Sequence, residues 1–103
     1  MRETLTLRIR NDDYASEMEK LLGSKARLRI LRLFAKYPNH AFTQYRICQV
    51  TGLKRQVASK HMRELLERDL IIQKGSPIVR YYFNTSNDQA DALRELFLKM
   101  SLT

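Results

Sequence analysis

The sequence predicts a mainly α protein with one small β-hairpin, an α+β chain of 103 residues. Two segments repeat apolar residues at the i, i+4, i+7, i+8 spacing of amphipathic helices, and other segments also show helical apolar stripes. Two short strand-like runs, residues 70–74 and 78–83, flank a Gly75-Ser76-Pro77 turn. At this length we expect a single domain, residues 1–103, with an N-terminal strand and helix (1–22), a core (23–85) and a C-terminal helix (86–103).

The charge and the cysteine content of the chain limit the kinds of partner and site that we expect. The chain carries a net charge of +8 with a pI near 10.0, which favours a polyanionic partner. Cys48 is the only cysteine, so neither an intramolecular disulfide nor a thiolate metal cluster can form within one chain. Apolar runs stay well short of the roughly 18 residues that span a bilayer, and no signal-peptide pattern is visible. We therefore expect a cytoplasmic protein with no membrane contact, no metal and no cofactor.

The N-terminal segment predicts a strand followed by a helix. Residues 4–10 alternate, with Leu5, Leu7 and Ile9 on one side, which is typical of a half-buried strand. A lone strand needs a partner, either the later hairpin or a second subunit. Asp13 is suited to cap a helix whose apolar stripe contains Tyr14, Met18, Leu21 and Leu22.

The next helix, predicted from Ser24 to Tyr37, is apolar over most of its circumference, which places it in the middle of the domain. Pro38 ends it, because a proline disfavours the helical backbone conformation at the residue before it. Its remaining stripe is basic and consists of Lys25, Arg29, Arg32 and Lys36. This stripe is either a solvated face or a second surface that contacts phosphates.

Residues 42–70 predict two helices separated by a break at Gly52, which can take the left-handed conformation. Thr43 stands at the N-cap of the first helix, whose inward side chains are Ile47, Cys48 and Val50. The second helix buries Ala58, Met62, Leu65 and Leu66, so at 100° per residue its outward side chains are Gln56, Lys60 and Arg63. This arrangement is a helix-turn-helix, whose second helix enters the DNA major groove.

The strand-like runs that follow predict a hairpin, or wing, with Lys74 and Arg80 flanking its tip. Residues 86–89 read as a capping box, in which Ser86 opens the last helix. The apolar stripe of that helix contains Ala90, Leu93, Leu96, Phe97 and Met100. With Leu98 and Leu102 outside the stripe, this is more apolar surface than the terminal helix of a small monomer needs.

Three stretches carry a family resemblance: LLGSKARLRILRLF, FTQYRICQVTGLKRQVASKHMRELLERDLI and VRYYFN. Over residues 20–100 the chain resembles the winged helix-turn-helix domains of prokaryotic transcriptional regulators, of the ArsR-like kind common in archaea. The resemblance implies DNA contacts from Lys54, Arg55, Gln56, Ser59, Lys60 and Arg63. Two departures are visible. Asp69 stands where Gly is usual, so we expect Asp69 to adopt a left-handed conformation at the end of the helix. Val57 stands where Thr or Ser is usual.

The single-residue candidates have plain alternatives. Metal-sensing members of that family carry cysteine pairs on the recognition helix, and this sequence has none there. Cys48 is better suited to core packing than to redox chemistry. His61 is predicted to flank the helix and donate to a phosphate rather than to bind a metal, and His40 has no ligand partner at suitable spacing. No phosphate loop, carboxylate pair or nucleophile–histidine pattern supports an enzyme.

We therefore predict a sequence-specific regulator of transcription that binds double-stranded DNA through a recognition helix and a wing. The expected DNA contacts are Thr43, Gln44, Lys54, Arg55, Gln56, Ser59, Lys60, Arg63, Lys74, Ser76 and Arg80. A homodimer is expected, with Leu5, Leu7, Ile9, Tyr14, Met18, Leu93, Leu96, Phe97 and Met100 at its interface. The alternative is a winged-helix module that binds protein or RNA within a larger assembly.

Overall fold

The structure is a computed structural model, and it describes residues 23–101 of the chain. This part of the chain forms four helices and one two-stranded antiparallel sheet. In chain order the elements are α1 (Lys25–Lys36), α2 (Gln44–Thr51), α3 (Arg55–Glu67), β1 (Ile71–Lys74), β2 (Arg80–Phe83) and α4 (Asp88–Ser101). The strand and helix expected within residues 1–22 lie outside the described residues.

Helix α1 lies at the centre of the core. Ser24 caps it as predicted, because its Oγ accepts a hydrogen bond from the backbone N of Arg27 at 3.2 Å. The helix ends at Lys36, before Pro38. Its largest fully buried side chains are Ile30, Leu31 and Phe34. Because α1 packs against α2, α3 and α4, the other helices are positioned relative to it.

Helix α2 and the turn after it follow the sequence prediction with one exception. Thr43 caps α2 through its Oγ1, and Gly52 ends it in the left-handed region at φ 74°. Ile47 is fully buried, and Cys48 packs against the core. The inward placement of Val50 is wrong, since its side chain is 49% exposed. Val50 lies in the last turn of α2, on the wall of a surface cavity between α1 and α4.

Helix α3 is followed by a left-handed Asp69, at φ 58°, where a glycine is usual in such turns. Two side-chain amides hold this residue. The Nδ2 atoms of Asn84 and Asn87 donate to the Asp69 carbonyl oxygen at 2.8 and 3.1 Å. The expectation that Asp69 adopts this conformation is confirmed, because a short polar side chain tolerates it and the loop before α4 satisfies its carbonyl.

The hairpin is shorter than predicted, because its strands begin at Ile71 and Arg80 rather than at residues 70 and 78. The turn therefore spans residues 75–79. Gly75 enables it at φ 104°, and a Cβ atom there would lie 2.2 Å from the Ile78 carbonyl oxygen. Phe42 joins β2 through paired backbone hydrogen bonds with Tyr81, with N–O distances of 2.9 and 2.8 Å. The wing is thereby attached to the segment that precedes α2.

Helix α4 closes the core from the C-terminal side. Asn87 caps it, not Ser86 as predicted, because the Asn87 Oδ1 accepts from the backbone N of Gln89 at 2.8 Å. The same oxygen accepts from the backbone N of Ala90 at 3.1 Å. Leu93 and Phe97 are 2% and 9% exposed and belong to the core of this chain, so their assignment to a dimer interface is corrected.

Candidate nucleic-acid interface

Helix α3 separates a buried apolar face from an exposed polar face. The apolar face consists of Ala58, Met62 and Leu65, each at most 2% exposed. The opposite face exposes the amide and cationic side chains of Gln56, Lys60 and Arg63. The orientation predicted from helical spacing is confirmed, and it leaves three long hydrogen-bonding side chains able to reach a flat or grooved partner.

The N-terminal end of α3 concentrates positive charge. Lys54 occupies the N-cap without a side-chain capping bond, and the first turn contains no acidic residue. Arg55 follows it and is exposed. Backbone N–H groups at this end lack helical acceptors, and the helix dipole adds partial positive charge. An anion such as a phosphate group is therefore favoured here.

Side chains at the start of α2 also form hydrogen bonds with backbone groups of this chain. Thr43 Oγ1 accepts from the backbone N of Arg46 at 3.2 Å, which uses the hydroxyl as a cap. Gln44 Nε2 donates to the backbone oxygen of Arg55 at 3.4 Å and so links α2 to the start of α3. Ser59, in the first half of α3, is half-buried. All three lie beside the exposed face of α3.

The wing places two cations at its tip. Lys74 and Arg80 face each other in the strand register, and both are exposed. Lys74 Nζ lies 5.6 Å from the centre of the Tyr82 ring, over its face, which restrains the lysine without neutralising it. Ser76 is exposed in the turn between the strands. The wing therefore adds a second, separate positive surface.

The prediction that His61 contacts a phosphate is wrong, because this side chain is only 8% exposed. Its Nε2 lies 3.4 Å from the Ser24 Oγ, and its Nδ1 has no hydrogen-bond partner among the described residues. Burial lowers the pKa of His61, and the nearby charges of Arg27 and Lys60 lower it further against the opposing effect of Glu64. The environment of His61, on the side of α3 that meets the start of α1, thus favours the neutral form of its ring.

Acidification should destabilise the fold through His61. Its pKa in the folded state lies below the usual 6.5, so the unfolded chain takes up a proton first as the pH falls below 6.5. The free energy of unfolding, measured by urea titration across that range, should therefore decrease as the pH decreases. His61→Gln, which keeps a donor near Ser24, should flatten this dependence, whereas His40→Gln at an exposed position should not. An unchanged pH profile in His61→Gln would contradict this assignment.

An ion pair that sequence reasoning missed joins α1 to α3. Arg27 is only 9% exposed, and its guanidinium contacts the Glu64 carboxylate. The pair links α3 to α1, and replacing one member would leave the other charge without this counter-ion. The sequence signal for this pair is Arg27 itself, which lies on the apolar side of α1 rather than in its basic stripe.

A second feature missed in the sequence is Tyr45, which follows Gln44 in α2 and is 76% exposed. An exposed aromatic ring on a helix that adjoins the cationic face is suited to contact a nucleic-acid backbone through its hydroxyl. The signal for it is the tyrosine two residues before Ile47, on the face of α2 that turns away from the core.

Two further properties bear on partners. Within residues 23–101, no group of three or more His, Cys, Asp or Glu side chains is arranged to hold a metal ion, and the expected absence of metal stays a prediction. In the same part of the chain, each helix is too short or too polar to cross a membrane.

The chain was compared with known proteins. No family model matches it, and a search of curated proteins finds no match. Several solved structures are similar. A predicted DNA-binding transcriptional regulator from E. coli superposes with a TM-score of 0.72 at 18% identity, covering 93% of this chain and 98% of that one. A MarR family transcriptional regulator from Silicibacter pomeroyi gives 0.59 at 15% identity, covering 93% and 70%.

A third similar structure is the heme sensor protein PefR from Streptococcus agalactiae in complex with heme. Its TM-score is 0.58 at 13% identity, covering 94% of this chain and 74% of that one. Together these structures establish that this chain has the winged helix-turn-helix fold, and the α+β prediction is confirmed. The neighbours include both a heme sensor and other regulators, so the fold alone does not select a cofactor.

Proposed function

We propose that this protein is a sequence-specific, double-stranded DNA-binding regulator of transcription, cytoplasmic and without enzymatic activity. The observation that carries the proposal is the exposed face of α3, with Gln56, Lys60 and Arg63 turned away from the core. A net charge of +8 supports it. The resemblance of residues 52–65 to ArsR-like regulators supports, within this proposal, a regulator of that kind.

In the proposed complex, α3 lies in the major groove and the wing lies along the flanking backbone. Gln56, Lys60 and Arg63 read base edges, because they project furthest from the core. The remaining contacts position the protein on phosphates. They comprise Thr43, Gln44, Lys54, Arg55, Ser59, Lys74, Ser76 and Arg80, to which Tyr45 is now added.

Loss of a base-reading side chain should weaken DNA binding without unfolding the protein. After a binding site has been selected from random duplex DNA, Lys60→Ala and Arg63→Ala should each reduce affinity by about 1–3 kcal/mol. Both side chains are exposed, so the thermal midpoint should barely move. Lys25→Ala removes the same charge from α1, away from the proposed face, and serves as the matched control.

The same binding assay separates the alternative functions. If single strands or structured RNA compete for the protein as strongly as duplex DNA does, an RNA-binding module is favoured. If the protein selects no duplex sequence, or if Lys60→Ala and Arg63→Ala bind like the parent, the proposed docking is wrong. A protein-binding role in an assembly would then be the better account.

We also propose a homodimer built from the ends of the chain. In α4, Leu96 and Met100 are 38% and 64% exposed, and in the proposed dimer a second copy covers this exposed apolar surface. The other proposed contacts, Leu5, Leu7, Ile9, Tyr14 and Met18, lie outside the described residues. Two copies would place recognition helices on half-sites about 34–36 Å apart.

Sedimentation equilibrium tests the dimer. The full chain should sediment as a dimer at tens of micromolar, and Leu96→Glu combined with Met100→Glu should shift it toward monomer, because charge at an apolar contact is unfavourable. Lys99→Glu, an exposed change on the same helix, is the control. A parent chain that stays monomeric at this concentration would rule the dimer out.

A further inference from the structure

A surface cavity of about 730 Å³ lies away from the recognition face, between α1, the C-terminal end of α2 and the C-terminal half of α4. Its size falls within the range of small-molecule sites, which is about 300–1,000 Å³. Thr51, at the end of α2, forms part of its wall. The cavity therefore adjoins the turn that joins the two helices of the helix-turn-helix.

One wall of the cavity is cationic. Three of the four side chains in the basic stripe of α1 line it, namely Arg29, Arg32 and Lys36, while Lys25 does not. Arg29 Nη1 lies 3.5 Å from the Thr51 carbonyl oxygen, which directs this guanidinium across the cavity toward α2. Among the described residues that line the cavity, none is acidic. All the charged side chains that line the cavity are therefore cationic.

The other walls are apolar. Leu33 and Phe97 form the inner surface and are 8% and 9% exposed. Leu98, Val50 and the Tyr37 ring are each 38–49% exposed and complete the lining. Exposed apolar side chains on α2 and α4 thus lie opposite three cations on α1. A ligand that satisfies both surfaces must combine an anionic group with an apolar body.

We propose that this cavity binds an amphipathic organic anion, an aromatic or medium-chain aliphatic carboxylate. The carboxylate would pair with Arg32, with Arg29 or Lys36 as the second partner, since guanidinium groups bind carboxylates in a bidentate manner. The apolar body would cover Leu98 and Phe97. This site is separate from the proposed DNA surface. It gives the basic stripe of α1 a third interpretation, besides a solvated face and a surface that contacts phosphates.

Two other occupants fit less well. A nucleic-acid backbone would use the cations but leave Val50 and Leu98 exposed to water. A neutral apolar ligand would cover those side chains. It would also displace water from the charged groups of Arg29 and Arg32 without offering them a hydrogen-bond partner, which costs free energy. The charge and apolar area together favour the amphipathic anion.

The position of Thr51 gives the site a route to the helix-turn-helix. Its Oγ1 donates to the Ile47 carbonyl oxygen at 2.6 Å and accepts from the Leu53 backbone N at 3.4 Å. A carboxylate that draws Arg29 away from the Thr51 carbonyl would therefore act on the residue that ends α2. This link to DNA binding rests on the proposed function, whereas binding of the anion itself does not.

Isothermal titration calorimetry of the full chain without DNA tests the site, with 1-naphthoate and decanoate as probes. We expect saturable one-site binding of at least one probe and much weaker binding of 1-naphthalenemethanol and decanol, which lack the charge. Arg32→Gln should weaken binding by about ten- to a hundredfold, the effect of losing a charge-assisted hydrogen-bonded pair. Lys25→Gln removes the same charge from the same stripe outside the cavity and should change binding less than twofold.

A second variant guards against an unspecific charge effect. Leu98→Asn removes apolar surface without changing charge, and it should weaken the naphthoate complex while circular dichroism shows the fold intact. The proposal is overturned if neither probe binds at millimolar concentration, if the neutral alcohols bind equally well, or if Lys25→Gln loses as much affinity as Arg32→Gln. Because no DNA is present, these outcomes are independent of whether the protein is a transcriptional regulator.

Discussion

Raising the salt concentration from about 50 to about 200 mM should weaken duplex binding by about a thousandfold or more. The proposed interface brings four cations of each copy to DNA phosphates: Lys54, Arg55, Lys74 and Arg80. Each phosphate contact releases counter-ions, so log affinity falls linearly with log salt with a slope of about −0.9 per contact. For these four contacts the slope is about −3.6 per bound copy, and for the eight contacts of the proposed dimer it is about −7, which gives the thousandfold loss or more.

Charge-removing variants identify which cations contribute to that slope. Lys74→Gln and Arg80→Gln should each make the slope shallower by about 0.9 per bound copy, because both wing cations are exposed and are proposed to lie on the flanking backbone. Lys99→Gln, on α4, should leave the slope unchanged. Fluorescence anisotropy with a labelled duplex at five or more salt concentrations measures it. A slope near zero would point to a protein partner instead of DNA.

Phe34→Ala should reduce the free energy of unfolding by about 3–5 kcal/mol. Phe34 is fully buried in α1, and its ring meets that of Phe42 edge to face, with centroids 5.4 Å apart. Phe42 in turn pairs with Tyr81 of the wing. The substitution therefore removes apolar contacts, leaves a cavity and loosens the junction between the central helix and the hairpin.

The comparison for this variant is Tyr45→Ala, which removes an aromatic ring that is 76% exposed. Surface changes of that kind usually alter stability by no more than about 0.5 kcal/mol. Phe34→Leu, which keeps most of the volume, should fall between the two. Urea denaturation followed by far-UV circular dichroism measures all three. A loss below about 1 kcal/mol in Phe34→Ala would show that the core does not centre on α1 as described.

Local backbone chemistry was predictable from the residues. Ser24 and Thr43 cap their helices, and Gly52 and Asp69 take the left-handed conformation, because each depends on neighbours a few residues away. The cap of α4 shows where such reasoning stops. Ser86 and Asn87 are both residue types that cap helices. Asn87 is the cap in the structure, and its Nδ2 also donates to the carbonyl oxygen of Asp69.

The outward face of α3 was also determined by the sequence alone. Three buried side chains at helical spacing define one face, and the geometry of a single helix then places Gln56, Lys60 and Arg63 opposite. No other part of the chain is needed for that inference. The candidate DNA surface could therefore be described from residues 54–63 before the fold was known.

Only the tertiary structure decided which partner each remaining side chain meets. His61 lies between the two faces of α3, and the position of α1 buries it beside Ser24. Leu93 and Phe97 suited a dimer or a core equally by spacing, and packing of α4 on α1 assigned them to the core. The pair between buried Arg27 and half-buried Glu64 and the cavity beside Arg32 exist because separate helices meet there. A helical period specifies a face, whereas burial of that face depends on distant residues that fold against it.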